Sequence, residues 1–235
     1  MKDYCSQIFK AVTVPIILYD LPGRTGGNIP ADLVVELASE FENVVGIKEA
    51  SGNLEQMACI LRDKPSDFMV FSGDDALAFQ AVCMGADGVI SVVANLIPKE
   101  FHNLMLAASK GDLAKSKEIY FKYLRLIQLC FIESNPIPVK TGLAIMNKLS
   151  EEFRSPMSVM VDENRILLVN EITKLKMIYW KAERFWVGKL LEYPEIMTQG
   201  ETLEELEENM KEAYMLMALD EVPGEHEVKE LTLTV

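Results

Sequence analysis

Histidine, paired cysteine and basic charge are all scarce in this sequence, and each shortage removes a class of function. Only His102 and His226 occur, far apart, so a zinc centre on the usual His and Cys spacings has nothing to start from. Cys5, Cys59, Cys83 and Cys130 are widely separated and form no CxxC pair. That usage argues against a disulfide framework and for a reducing, cytoplasmic setting. Lys and Arg number 23 against 36 Asp and Glu, a formal net charge of -13, which excludes a nucleic-acid backbone or an anionic membrane surface as the main partner. No apolar run is long enough to span a bilayer. The stretch Val12 to Leu18 is short, is broken by Pro15 and has no small-residue cleavage site after it, so no secretory leader is expected. A glycine-rich phosphate loop is also lacking.

What the chain does have is enough apolar material for a sizeable core, 49% hydrophobic over 235 residues, compatible with one domain or two. Its charge is uneven. Residues 178 to 235 hold 14 acidic against 5 basic side chains, a net of -9, which leaves only -4 for everything before them. The asymmetry hints at two units, the second suited to a basic partner.

Residues 15 to 93 repeat an apolar strand, a turn and a helix, with strands expected at Pro15 to Tyr19, Val44 to Lys48, Phe68 to Ser72 and Gly88 to Val93. Helices of about three turns are expected to begin near Pro30, Asn53, Asp74 and Pro98, residue types that cap or preset a first turn. Repeated βα units imply a parallel sheet. An eightfold barrel needs about 250 residues, so four units make half a barrel or a small open sheet. From Gly111 the pattern is helical, running through Ile132, turning at Asn135-Pro136-Ile137-Pro138 and continuing to about Lys176. Such a helical appendage is a common site of subunit packing, and a homo-oligomer is expected. Met177 to Leu191 reads as β structure, Gln199-Gly200 as a turn, and Thr202 with Glu205 as a capping box opening a helix that buries Leu203, Leu206, Met210, Ala213 and Met217. Val228 to Val235 reads as a closing strand, giving β, β, α, β. The Met-rich character of that helix suits a core better than a binding groove.

Candidate chemistry gathers at the carboxyl ends of the strands, where βα loops converge. Lys48 ends the second strand. There it is either a solvated strand cap or an amine able to form a Schiff base, a role open to a lysine whose ammonium form burial disfavours. Tyr19 ends the first strand and can relay protons or simply fill a core. Arg24, on the next loop, can clamp a carboxylate through two parallel hydrogen bonds or merely close a turn. Together they place amine, proton carrier and anion clamp in one crevice. Asp74-Asp75 could suggest a metal, but helix capping accounts for it better, and no metal is expected.

Four stretches, Tyr19-Asp20-Leu21-Pro22-Gly23-Arg24-Thr25-Gly26, Gly46-Ile47-Lys48-Glu49-Ala50-Ser51-Gly52-Asn53, Ser72-Gly73-Asp74-Asp75 and Gly88-Val89-Ile90-Ser91-Val92, together resemble dihydrodipicolinate synthase. The resemblance implies that Lys48 forms the Schiff base with pyruvate, Tyr19 relays protons, Arg24 binds a substrate carboxylate and Ile90 lies against the pyruvate. It implies pyruvate and aspartate semialdehyde as substrates, a place in lysine biosynthesis, and no cofactor beyond the covalent Schiff base through Lys48. The wider superfamily of N-acetylneuraminate lyases and keto-acid aldolases shares the lysine and tyrosine, while the Pro-Gly-Arg-Thr loop resembles the synthase branch. Asp20 departs from the asparagine usual at that position. Residues 1 to about 176 resemble the C-terminal part of that enzyme, without its first four strands, its threonine pair, its second tyrosine and its allosteric lysine site. A truncated 4-hydroxy-tetrahydrodipicolinate synthase-like lyase, inactive alone, is therefore expected.

Residues 177 to 235 resemble a different family. Phe185-Trp186-Val187-Gly188 and the run Tyr193-Pro194-Glu195-Ile196-Met197-Thr198-Gln199-Gly200-Glu201-Thr202-Leu203-Glu204-Glu205-Leu206 are similar to HicB antitoxins. That resemblance implies a partial RNase H fold without nuclease activity and a small basic ribonuclease toxin as partner. The expected fold class is α/β, half of a (β/α)8 TIM barrel with a helical C-terminal appendage over 1-176, then a small α+β HicB-like module over 177-235. The alternative to the lyase is an antitoxin-type binding protein.

Overall fold

The computed structural model describes residues 1–173, 177–191 and 193–218, which fall into two compact units, one spanning Met1–Ile172 and the other beginning at Thr173. The first unit runs α1 (Lys2–Ala11), β1 (Ile16–Asp20), α2 (Pro22–Thr25), α3 (Ala31–Glu40), β2 (Val44–Glu49), α4 (Leu54–Asp63), β3 (Met69–Ser72), α5 (Ala78–Cys83), β4 (Gly88–Val89), a 3-10 turn (Val93–Asn95), α6 (Pro98–Ser109), α7 (Leu113–Leu129), α8 (Ile137–Ile145) and α9 (Asp162–Ile172). The four strands form one parallel sheet in the order β1-β2-β3-β4. Across it Tyr19 pairs with Lys48, Lys48 with Phe71 and Phe71 with Gly88. One residue further along, Asp20 pairs with Glu49, Glu49 with Ser72 and Ser72 with Val89.

Because strand side chains alternate, these two rows stand on opposite faces. Leu18, Ile47 and Val70 are buried in a core with Val34 and Leu37 of α3 and Met57 and Ile60 of α4, each worth about 1.5–3 kcal/mol of transfer free energy when fully buried. The other row is open: Ile17 is 44% exposed, Tyr19 50%, Met69 36% and Ile90 42%. A second core holds the helical appendage together, centred on Leu104 of α6, Ile127 and Leu129 of α7 and Leu168 of α9.

Local chemistry explains the helix starts. Asn53 Oδ1 accepts from the backbone N–H groups of Glu55 and Gln56 at 3.0 and 3.1 Å, and Asp112 Oδ1 accepts from Lys115 N–H at 3.0 Å, satisfying donors that a first turn leaves unpaired. Pro30 stands at the N-cap of α3 and Pro98 opens α6.

Several expectations need correcting. The fourth strand stops at Val89 instead of reaching Val93, because Asp75 Oδ2 accepts from the N–H groups of Val92 and Val93 at 2.9 and 2.7 Å and turns the chain into the 3-10 turn. Asp74 caps a turn, not a helix: its Oδ1 accepts from Ala76 N–H at 2.8 Å, and α5 begins at Ala78 with only 6 residues. Helix is not continuous to Lys176. Residues 150–161 are irregular, interrupted by Pro156, whose ring and missing N–H oppose a helix. The segment is held by side chains instead, with Thr141 Oγ1 donating to Glu151 Oε1 at 2.7 Å and Glu133 Oε1 accepting from Val161 N–H at 3.1 Å. Helices α1 and α2 were not anticipated. Phe9 of α1 packs edge-on against Phe41, ring centroids 5.4 Å apart, and Asn43 Nδ2 donates to the carbonyls of Phe9 and Val12.

The second unit consists of β5 (Met177–Lys181), β6 (Trp186–Leu190), β7 (Met197–Gly200) and α10 (Leu203–Ala218), its sheet antiparallel in the order β5-β6-β7. Gln199-Gly200 is strand rather than turn, Gly200 pairing with Trp186. The glycine is needed for close approach: a Cβ there would lie 2.4 Å from Leu206 N. The capping box forms with one difference of detail. Thr202 Oγ1 accepts from Glu205 N–H at 3.1 Å, while Glu205 Oε2 accepts from the N–H of Glu201 at 2.7 Å. Leu206 and Met210 are buried as expected, whereas Met217 is 42% exposed. The expected strand Val228 to Val235 lies outside the described residues. Among the described residues no helix is long and apolar enough to cross a membrane.

Candidate functional site

The strand register sets Tyr19 and Lys48 side by side on the open face, at the carboxyl ends of β1 and β2. Lys48 Nζ stands 4.3 Å from the centroid of the Tyr19 ring, a cation held over a π face. On the far side of the lysine the chain leaves β3 through Gly73, whose N–H donates to Glu49 O at 2.6 Å. A Cβ at Gly73 would stand 2.9 Å from Lys48 Cε and 2.5 Å from Ala50 Cβ. Glycine therefore makes the slot in which the lysine stem lies.

Ile90 follows β4 directly, its N–H donating to Ser72 O at 2.9 Å, and it lies at the same end of the sheet. Arg24 is placed differently. It sits on α2, which closes at Gly26 in the left-handed region at φ 71°, and its Nη2 donates to Asn135 O at 3.1 Å in the turn before α8. Among the described interactions it has no hydrogen bond to the Lys48–Tyr19 pair. The register thus brings Tyr19 and Lys48 together, while Arg24 is tied to the helical appendage by one of its five donors.

The opposite face of the same strand ends carries acids to which sequence reasoning gave no role in the site. Asp20 and Glu49 are neighbours in register, 1% and 2% exposed. Asp20 Oδ1 accepts from Ile29 N–H and Oδ2 from Gln56 Nε2, both at 3.0 Å, and Glu49 Oε1 accepts from Ser51 N–H at 2.8 Å. Burial pushes the Glu49 carboxyl above its ordinary range, with the Asp20 charge adding to the shift. Alternation alone could have found the pair, since each acid follows a candidate site residue by one position. Asp75 is the third buried acid. Its Oδ1 has no partner among the described residues, burial raises its carboxyl, and burial with the Asp75 charge pushes the Cys130 thiol up to about 12.

Among the described residues no group of three or more His, Cys, Asp or Glu is arranged to hold a metal ion. A cleft of about 420 Å³ lined by Ser39, Glu42, Pro65, Asp67 and Phe68 lies at the amino ends of β2 and β3, the end opposite Lys48.

The model of the dihydrodipicolinate synthetase family matches residues 1–175. The chain is 44% identical over 172 residues to the 4-hydroxy-tetrahydrodipicolinate synthase of Pelodictyon phaeoclathratiforme, covering 73% of this chain and 58% of that protein. It is 43% identical over 176 residues to the corresponding synthase of Chlorobium limicola, covering 75% and 60%. Among solved structures, dihydrodipicolinate synthase from Thermotoga maritima matches with a TM-score of 0.71 at 36% identity, over 74% of this chain and 60% of that one. The Aquifex aeolicus enzyme gives 0.70 at 38% identity, over 74% and 59%. The chain thus spans 58–60% of the length of these curated relatives.

Proposed function

Because the chain belongs to the dihydrodipicolinate synthetase family through residues 1–175, we propose that Lys48 forms an imine with pyruvate, in a lyase-type site of the 4-hydroxy-tetrahydrodipicolinate synthase kind. The observation that carries the reading is the Lys48 amine 4.3 Å from the Tyr19 ring at the carboxyl ends of adjacent strands. The neutral amine adds to the keto carbon of pyruvate and its proton passes to the oxygen. Loss of water from the carbinolamine then leaves C=N on Lys48. Tyr19 is the proton carrier for both transfers, Arg24 holds a substrate carboxylate and Ile90 packs against the pyruvate methyl side. Aspartate semialdehyde is the second substrate. No cofactor takes part, since the imine itself is the electron sink.

We further infer that the 235 residues alone condense the two substrates slowly. Tyr19 and Ile90 stand on a face that is 50% and 42% exposed at those positions, and a water-filled site forfeits much of its proton-transfer and orientation advantage, about 10² to 10⁴ in rate. Borohydride reduction in the presence of pyruvate, read by mass spectrometry, tests the imine: a single adduct at Lys48, absent from Lys48→Ala, supports it. Adducts spread over exposed lysines such as Lys110 and Lys117, or none, would refute it. Turnover matching that of a full-length relative would refute the slow-condensation inference alone.

A second reading concerns the other unit. Treating 1-176 and 177-235 as separate domains, we propose that the latter is a HicB-like module that binds a small basic protein of the ribonuclease-toxin type. Its support is the net of -9 over residues 178 to 235 and the exposed row Glu204, Glu207, Glu208 and Glu212 on α10. Binding should tighten as salt falls. Titration of the full chain with such a protein tests this, with Glu207→Lys, Glu208→Lys as the weakened variant; binding that ignores both salt and the substitutions would refute it.

A further inference from the structure

The chain leaves β1 at Asp20, runs out through α2 and comes back at Ile29 before α3 begins. This excursion carries Arg24, and most of it is solvated: Gly23, Arg24, Thr25, Gly26 and Asn28 are exposed. The backbone hydrogen bonds described for residues 21–28 are internal, from the N–H groups of Arg24 and Thr25 to Leu21 O and from Gly26 N–H to Pro22 O. The Thr25 hydroxyl likewise accepts from Gly27 N–H, at 3.3 Å. Such bonds give a loop its shape but not its place on the protein. With few buried contacts, nothing in them opposes the entropy of swinging away from the sheet.

Two ties reach beyond the loop. At its tip, Arg24 Nη2 donates to Asn135 O at 3.1 Å. At its base stands Asp20, 1% exposed, whose Oδ1 accepts from Ile29 N–H and whose Oδ2 accepts from Gln56 Nε2, both at 3.0 Å. Gln56 and Asn28 also exchange amide bonds, Asn28 Nδ2 donating at 2.8 Å and Gln56 Nε2 returning at 3.3 Å. Gln56 is fixed in its turn within the first turn of α4, its N–H bound to Asn53 Oδ1 at 3.1 Å. One buried carboxyl thus joins the first residue of the excursion, its last two residues and a capped helix. Burial of an acid is costly unless its oxygens are satisfied, and here both are satisfied by groups that bring the loop home.

We propose that Asp20 is a positioning residue for Arg24, its buried carboxyl clasping both ends of the loop so that the guanidinium is held in place at the carboxyl end of the sheet. The consequence for substrate rests on the proposed role of Arg24 in holding a carboxylate. A two-pronged guanidinium grip is directional and tolerates little displacement, so loosening the base of the loop weakens the grip without touching it. Glu49, beside Asp20 in register, secures the next loop in the same manner by accepting from Ser51 N–H at 2.8 Å. Its raised carboxyl spares the two neighbours the full repulsion of like charges. The clasp needs acceptors more than it needs charge. An asparagine at position 20 keeps every bond if the Gln56 and Asn28 amides turn over together, its own NH2 then donating to Gln56. Alanine keeps none.

Amide hydrogen exchange of the full chain reads the clasp without any chemistry at Lys48. In Asp20→Ala and, independently, in Gln56→Ala, exchange at Thr25, Gly26 and Ile29 is expected to quicken by about 10-fold, the effect of losing buried hydrogen bonds of ordinary net strength. Ile47 and Val70 in the core should keep their protection, and Asp20→Asn should restore the loop rates. Condensation measured over a range of each substrate reads the consequence. Asp20→Ala should raise the half-saturating concentration of one substrate by up to the factor seen in Arg24→Ala, with the maximal rate little changed, and the double variant should be no worse than Arg24→Ala alone. Loop exchange that is unchanged in both alanine variants or quickens only together with the core, or effects of Asp20→Ala and Arg24→Ala that multiply, would overturn the proposal. The predicted exchange with no pyruvate adduct at Lys48 would refute the imine reading and uphold the clasp.

Discussion

The two faces of the four-stranded sheet are made by the same strands, one residue out of step, and they do opposite work. On the helical face Ile47 and Val70 are 0% exposed and pack under α3 and α4. The acids there, Asp20 and Glu49, are locked by amide donors from Ile29, Gln56 and Ser51. On the open face their immediate neighbours Tyr19, Lys48 and Phe71 line up in register, half-buried or exposed. Fold stability is therefore concentrated on one face and reactive side chains on the other. A one-residue slip of register would exchange them, and the one irregularity in the β1–β2 pairing, between Ile16 and Ile17, lies at its amino end, before the Tyr19–Lys48 pair.

The sharpest way to break this comparison is to truncate matched residues on either side. Ile47→Ala should cost about 2–5 kcal/mol, the usual effect of emptying a buried aliphatic site, whereas Ile17→Ala, at a position 44% exposed, should stay within about 1 kcal/mol. Urea unfolding measures both, and equal losses would mean that the open face is already covered in the isolated chain. Gly73→Ala comes next, because its new Cβ would meet Ala50 Cβ at 2.5 Å and Lys48 Cε at 2.9 Å. Overpacking of that kind costs about 1–3 kcal/mol, and displacement of the lysine should lower pyruvate trapping more than it lowers stability. Trapping that simply tracks the folded fraction would show that Gly73 does not position Lys48. In the second unit, which lacks a βα repeat, Thr202→Ala should remove the N-cap of α10 at a cost of about 1 kcal/mol, seen as lost helical signal. No change in that signal would mean that the cap is redundant.

The smallest expected effect is on pH dependence. Burial raises the Glu49 carboxyl, so the native chain holds a proton there that the unfolded chain has already released. Stability from this group is then greatest below the unfolded value of 4.5 and declines as pH rises through the raised native value. Glu49→Gln should flatten that decline between acid and neutral pH in a series of urea titrations. An unchanged slope would assign the decline to Asp75, whose carboxyl burial also raises.

Much of this was legible in the residues. The apolar runs bounded by turns located the four strands to within a residue at most ends, and Asn53 is a capping residue that reads as such. The placement of Tyr19 beside Lys48 needed only that consecutive βα units pair in order. The rest depends on contacts that sequence spacing does not carry. The fourth strand is cut short by the Asp75 carboxylate reaching the N–H groups of Val92 and Val93, 17 and 18 positions away. Helix α1 buries only Phe9 and is secured by Phe41 and Asn43. Gly200 looks like a turn glycine but is a strand glycine under α10. Arg24 could be placed on its loop, yet its tie to Asn135 O crosses 111 positions.

The central claim is that Lys48, held beside Tyr19 on the open face of the sheet, is the one lysine that reacts with pyruvate. Borohydride trapping of pyruvate, with every modified position located by mass spectrometry, tests it most directly. A single adduct at Lys48, lost in Lys48→Ala, is the predicted result. Adducts spread over exposed lysines such as Lys110 and Lys117, or none in the unaltered chain, would contradict it.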